Sequence, residues 1–275
     1  MGNCRYCGGK AGFLRSQHKE CETKHKSVGA EIANACWAAA TGSYDPTDAK
    51  RWVELKAPEG WISDPNPFFV KAWGDSVRKD LEDGVLSLEE QERLDHVKEA
   101  FGLTTKDLGA AWLMRCQGMV IREVLEGRIP EHGIDFQVPL VIQKTEKIIW
   151  GWSNVKQFQE RNRTTYRGAS QGMSFKVAKG VYYRVGATRG EPVVTTSQAL
   201  AGVGALVFTD KNLYWGGGSG KAIKIPWKKI IAVQSFSDGI GITKDGVSAK
   251  PMIFAIGKGE GWLARNLAEN LPHLE

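Results

Sequence analysis

The stretch CRYCGGKAGFLRSQHKECETKH, residues 4–25, holds three cysteines and two histidines, whereas the rest of the chain holds two Cys and three His. Thiolate sulfur and neutral imidazole nitrogen are the donors Zn2+ prefers, four at a time in a tetrahedron. Cys4 and Cys7 are separated by two residues, so both sulfurs can reach one ion while the backbone turns through Gly8 and Gly9. Ser16 is placed to cap a helix beginning near Gln17. On such a helix His18 and Cys21 are three residues apart, and Cys21 and His25 four, so either pair shares one face. The expected ligands are Cys4, Cys7, Cys21 and one of the two histidines, His18 or His25, around Zn2+.

His18 would put the ion at the helix N-terminus, as in treble-clef knuckles. His25 would put it mid-helix, as in two-strand-one-helix fingers. The finger calls for a Phe and a Leu at set spacing beyond the knuckle, and Phe13 and Leu14 do not stand there; this favours His18 and keeps His25 as the alternative. The ion is expected to be structural. A head of about 26 residues cannot bury enough apolar surface to fold alone, so metal binding would supply its folding energy. Three thiolates would also crowd negative charge around the ion. An open coordination position would instead point to a metal-dependent hydrolase, the weakest of the three functional readings.

Other motifs fail on inspection. GGGSGKA (216–222) has Trp215 where a phosphate loop needs its first Gly, and ends in Lys-Ala without the magnesium-binding hydroxyl, so a hairpin turn is expected. A calcium loop placed on KDLEDGVLSLEE would need Lys79 and Leu81 as ligands, which cannot bind a cation. Neither His nor Cys occurs from 133 to 272, and Asp210, Asp238 and Asp245 sit in turn contexts where Asp bonds its own backbone. With the usual general base missing, no catalytic residue is assigned.

Charge divides the 275 residues in three. Residues 1–26 carry six Lys/Arg and two Asp/Glu; 27–143 carry 12 and 20; 144–275 carry 19 and nine. Within the last part, Arg161, Arg163, Arg167, Lys176, Lys179 and Arg184 alternate with Tyr166, Tyr182 and Tyr183, a pattern suited to an anion or to an acidic partner, and equally to a solvated loop. Two basic ends keep nucleic acid open as a partner, using the head and the 161–184 hairpin, although the acidic middle would repel it unless it faces away.

The elements that must position these residues change character along the chain. Val28, Ile32, Cys36 and Ala39 recur at helical spacing before TGSYDP breaks the run. A helix is expected from Pro67 to about Asp83 with Phe68, Phe69, Ala72, Trp73, Val77 and Leu81 on one face. Ser87 with Glu90 forms a capping box before a stripe of Leu88, Leu94, Val97 and Phe101, and Thr104 with Asp107 starts a helix running to about Gly127. Cys36 and Cys116 lie in these apolar patterns and read as buried small hydrophobes. From Ile134, short β-branched and aromatic runs alternate with Gly-rich turns, closed by EGWLARNLAENL at helical spacing. The expected fold class is α+β: a zinc-binding head (1–26), a helical domain (27–130) and an antiparallel half-barrel closed by a C-terminal helix (135–275). No run approaches a membrane span, the basic Cys-rich start is unlike a secretory signal, and unpaired Cys suit a reducing compartment, so a cytoplasmic protein is expected.

GALVFTDKNLYWGG, AIKIPWKKIIAV and SFSDGIGITKDG followed by the closing helix resemble bacterial pleckstrin-homology-like (GRAM-like) domains over about residues 145–272. DGVLSLEEQERLDHVKEAFGLT is more weakly similar to helical domains of the tellurite-resistance B type. The first resemblance implies a half-barrel that docks a protein or an anionic ligand, with Lys176, Lys179 and Arg184 loosely where such folds carry basic residues. The expectation is therefore a non-enzymatic binding or adaptor protein, with nucleic-acid binding as the alternative.

Overall fold

The chain begins with a two-residue strand, β1 (Gly2–Asn3), paired antiparallel with β2 (Lys10–Gly12). The coordinates are a computed structural model describing residues 2–12, 15–131, 136–166, 175–178, 181–183, 192–246 and 250–274, with 160–166, 175–178, 181–183 and 192–197 as backbone only. Two compact units divide it, Met1–Glu123 and Val124–Glu275.

The first unit is helical beyond its head. Helix α1 (Lys19–Ala40) is one continuous element, so residue 26 falls inside it. It buries Val28, Ile32, Cys36, Ala39 and Ala40, the face its spacing defines. Helix α2 (Pro46–Lys56) starts where the Asp45 side chain accepts the N–H groups of Thr47 and Asp48, with Pro46 preset for the first turn. A 3-10 turn, Ala57–Gly60, follows and ends on Trp61. Helix α3 (Asn66–Asp80) stops short of the expected Asp83, because Leu81–Asp83 tighten into a 3-10 turn closed by Gly84 in the left-handed region. Helix α4 (Leu88–Phe101) carries the Ser87–Glu90 capping box and buries Leu94, Val97 and Phe101, but Leu88 is exposed. Leu88 stands at the first helical position, ahead of the turn that faces the core.

The helix expected from Thr104 to Gly127 is two helices. The Thr104–Asp107 box does form, but α5 (Thr105–Leu108) ends at Gly109, and α6 (Ala110–Leu125) begins after it. Gly109 adopts φ 49°, ψ −120°, a conformation closed to side-chain-bearing residues. The core of this unit joins the buried faces of α1 to α4 with Trp73, whose indole N–H donates to the Leu94 carbonyl at 2.8 Å. The C-terminal carbonyl of Ala40 accepts from Ser76 Oγ (3.0 Å) and Arg93 Nε (3.1 Å), and Arg93 also pairs with Asp80. Cys36 and Cys116 are fully buried.

Among the described residues, the second unit is built on a large sheet, a separate hairpin and the C-terminal helix. Strands β3 (Ile148–Tyr166), β6 (Pro192–Thr209), β7 (Asn212–Gly216), β8 (Ile223–Pro226), β9 (Ile230–Phe236), β10 (Gly239–Lys244) and β11 (Met252–Ala255) form one antiparallel sheet in the order β8-β7-β6-β3-β11-β10-β9. Between β3 and β6 a separate hairpin pairs β4 (Phe175–Ala178) with β5 (Val181–Tyr183). The sheet is not closed: β8 and β9 are its edges. Helix α7 (Gly261–Asn270) packs on β9 and β10, burying Leu263, Ala264, Leu267 and Ala268. GGGSGKA is a hairpin turn between β7 and β8, as expected, and Ser219 bonds back to Val203 through both N–H and Oγ. The core interlocks aromatic rings edge to face, Trp152 on Phe208 at 5.1 Å and Phe208 on Trp227 at 4.9 Å. Val138, Leu140, Ile142 and Ile148 pack against Ala205, Val207 and Tyr214. Among the described residues, no helix is long and apolar enough to cross a membrane.

A buried polar knot ties the chain entering β3 to the β6–β7–β8 meander. The Glu146 carboxylate accepts from Thr209 Oγ1 (2.7 Å), Tyr214 OH (2.8 Å) and Lys224 Nζ (3.0 Å). Burial alone would raise its pKa, but the donors of Thr209, Asn212, Lys224 and Tyr214 outweigh it and hold the carboxyl below its usual range. A carboxyl whose folded pKa lies below its unfolded value stabilises the fold above the unfolded pKa, and that stabilisation is lost as pH falls through the folded one. Amide hydrogen exchange in β7 and β8 is therefore expected to accelerate as pH drops below the ordinary carboxyl value of 4.5, after correction for intrinsic rates. Glu146→Gln should flatten this dependence and lower stability at neutral pH by about 1–3 kcal/mol. An unchanged pH profile in Glu146→Gln would assign the acid sensitivity elsewhere.

Candidate metal centre

The knuckle turns because its glycines allow it. Gly8 adopts φ 72°, a left-handed conformation in which no other atom lies near its missing Cβ, so the constraint is backbone strain and not crowding. Gly8 N–H donates to the Cys4 carbonyl at 2.9 Å and Cys4 N–H to the Gly9 carbonyl at 2.6 Å, which closes the loop and points Cys4 and Cys7 the same way. Arg5 N–H donates to the Ser16 carbonyl at 2.9 Å, bringing the approach to α1 alongside the knuckle. Ser16 does not cap the helix. His18 occupies the cap position with extended backbone (φ −81°, ψ 144°), and its side chain makes no capping bond. The imidazole is instead directed at the sulfurs.

Cys4, Cys7, His18 and Cys21 converge, their ligand atoms all lying within 4.8 Å of one another. His18 Nδ1 lies 3.4 Å from Cys7 Sγ and 3.7 Å from Cys21 Sγ. A tetrahedral ion with bonds of about 2.3 Å to sulfur and about 2.0 Å to nitrogen would hold S and N about 3.5 Å apart. The residues present therefore fit such an ion. The other ring nitrogen fixes which atom faces the sulfurs: Nε2 is 2.9 Å from the Lys10 carbonyl, so it carries the proton and Nδ1 offers its lone pair. His18 N–H also donates to Cys4 Sγ at 3.4 Å.

The surroundings prepare the thiols unequally. Burial would raise the Cys4 thiol, but the N–H groups of Cys7, His18 and Tyr6 overcome it and bring it down to about 6. Burial, reinforced by the Cys7 and Cys4 sulfurs, pushes Cys21 up to about 11. The Lys10 carbonyl and then the Cys7 sulfur raise His18. Cys4 is thus ready to act as a thiolate near neutral pH, whereas an arriving cation must displace a proton from Cys21. Metal loading should release protons and weaken in acid.

His25, the alternative ligand, is not part of this cluster. Its Nδ1 lies 2.6 Å from the Gly60 carbonyl, and its ring packs on Tyr6 with centroids 4.7 Å apart. One turn beyond Cys21 on α1, it faces the 57–61 turn and not the knuckle. Of the basic residues singled out for anion binding, Arg161 and Arg163 lie on β3 opposite Ser197 and Thr195, and Lys176 lies on β4 opposite Tyr182, with their side chains outside the description. Arg167, Lys179 and Arg184 lie outside the described residues. Two features carried no local signal: the ring cluster joining Tyr6 and His25 to Trp61, and the Glu146 knot, whose partners are more than 60 positions away.

Single replacement of Cys4, Cys7 or Cys21 by Ser, or of His18 by Ala, is expected to abolish stoichiometric metal, measured by elemental analysis of the purified chain. His25→Gln should retain one ion per chain. Loss of metal in His25→Gln with retention in His18→Ala would reverse the assignment.

No family model, curated protein or solved structure matches this chain.

Proposed function

We propose that the protein is a non-enzymatic binding or adaptor protein. In this reading Cys4, Cys7, His18 and Cys21 hold one structural Zn2+, and the sheet unit is a pleckstrin-homology-like module that docks a protein or an anionic ligand in a reducing, cytoplasmic setting. The observation that carries the reading is the completeness of the donor set. Three sulfurs and one imidazole nitrogen within 4.8 Å fill a tetrahedron with protein atoms and leave no position for a substrate. Zinc, when bound there, supplies cross-linking and not Lewis-acid activation. Cys4 is buried at 2% exposure, His18 and Cys21 are half-buried, and Cys7 is exposed. Support for the pleckstrin-like reading comes from the strand order: one meander of β3, β6, β7 and β8, then a second through β9 to β11 that returns to β3 before the terminal helix.

Two measurements test it. Protein loaded with Co2+ is expected to give the intense visible bands of a tetrahedral thiolate site, unchanged on adding azide. A shift with azide would reveal an exchangeable position and favour the metal-dependent hydrolase. Capture from the native host is expected to retain a partner that Arg163→Glu/Arg167→Glu loses; equal capture by both would remove this basic stretch as the docking face.

A further inference from the structure

Beside the metal centre lies a group of side chains that coordination does not use. Tyr6, within the knuckle, packs at a tilt against His25 and lies 5.9 Å from Trp61, ring centroid to ring centroid. Arg5 sits 4.9 Å from the Tyr6 centroid and Lys24 sits 5.5 Å from that of Trp61. Five residues drawn from the knuckle, α1 and the 57–61 turn thus form one cationic aromatic surface.

Three observations say this is more than packing. First, Trp61 adopts φ 55°. A bulky side chain in the left-handed region is a strained exception, and the position closes a 3-10 turn where Gly would serve without cost. Second, the strained indole is not hidden: Trp61 remains 37% exposed. Third, neither cation is held in a salt bridge among the described residues, although Arg5 donates to the Tyr6 hydroxyl at 2.9 Å within the surface. Glu22, Glu31 and Glu59 on the same elements are taken by Lys26 and Lys56. With six Lys/Arg against two Asp/Glu over residues 1–26, the surface is complementary to an anion that also presents flat rings.

We propose that this surface binds single-stranded nucleic acid, with an unpaired base stacking on the Trp61 indole and Arg5 and Lys24 meeting the flanking phosphates. Exposed aromatic faces with nearby cations suit unpaired strands, because every base offers a π-face while a duplex conceals its own. The metal cluster places Tyr6 and Arg5 next to α1, so the surface depends on a loaded head. It does not depend on what the sheet unit docks.

The test is fluorescence anisotropy with a labelled oligothymidylate of about 12 nucleotides and the metal-loaded full chain, metal content being measured for every variant. Salt-dependent binding is expected, tighter than to a duplex of equal length, to thymidine monophosphate or to an oligoglutamate peptide. Trp61→Gly removes the ring while relieving the backbone strain, so it should keep its metal and fold yet bind about 5- to 100-fold more weakly. Lys24→Gln should lower the salt slope by about 0.7. The proposal is overturned if the oligonucleotide does not bind, if metal-loaded Trp61→Gly binds equally well, or if duplex, mononucleotide or oligoglutamate matches the single strand. Loss of metal from the wild-type head would instead count against the zinc reading, which the same samples report separately.

Discussion

The first unit depends on one local convergence: three sulfurs and a ring nitrogen brought within a few ångströms by a glycine turn and a helix start. The head has little else to hold it. Its strands β1 and β2 are two and three residues long, and of its described apolar side chains only Cys4 and Ala11 are buried. A hairpin of that size cannot offset the entropy of ordering its own backbone. A divalent ion held by Cys4, Cys7, His18 and Cys21, which are placed to share one, would close the loop from the knuckle to α1 and supply what burial does not.

Helix α1 carries the consequence inward. Its cap residue and its first turn supply two of the four ligands, its second turn supplies His25 to the Gly60 carbonyl, and the rest of its length supplies five buried residues to the helical core. Glu20 and Glu22 in the first turn, together with thiolate charge at the knuckle, sit where the positive end of the helix dipole favours negative charge. That compensates for a cap residue whose side chain is engaged elsewhere. Because the helix is continuous, ordering at the metal end and packing at the core end are not separable along the chain. The 57–61 turn lies against the same helix, and this is how Trp61, far along the sequence, comes to share a surface with Tyr6.

What could be read in advance divides by range. The Cys and His spacing, the Ser87–Glu90 and Thr104–Asp107 boxes, the buried stripe of α1, that of α4 apart from Leu88, and the alternating strands are all set by neighbours within a few positions, and the structure bears them out. The misplaced Phe13 and Leu14 already favoured His18 over His25, and the knuckle's orientation relative to α1, held by the Arg5–Ser16 backbone bond, places His18 among the sulfurs. The break at Gly109 was missed because a helical hydrophobic period runs across it on both sides, and only backbone geometry shows that the glycine is not helical. Helix α2 did have a signal, Asp45 followed by Pro46, but it follows a breaker so closely that the turn dominated the reading. The Glu146 knot and the Trp61 surface have no spacing to read, since each joins residues from distant strands or turns.

The two units thus solve one problem by different chemistry: how to anchor a chain segment that has few apolar residues of its own. The head gathers three sulfurs and a ring nitrogen where a single cation could join them. The sheet unit uses a carboxylate whose partners are protein hydroxyls and an ammonium, complete without any added ion. Acid acts on both in the same direction, by protonating thiolates and imidazole in one and Glu146 in the other. A chelator would act on a metal-loaded head, since among the described residues no other such cluster occurs. A treatment that removes metal at neutral pH therefore separates the contribution of the cross-linked head from that of the sheet, whereas acidification does not.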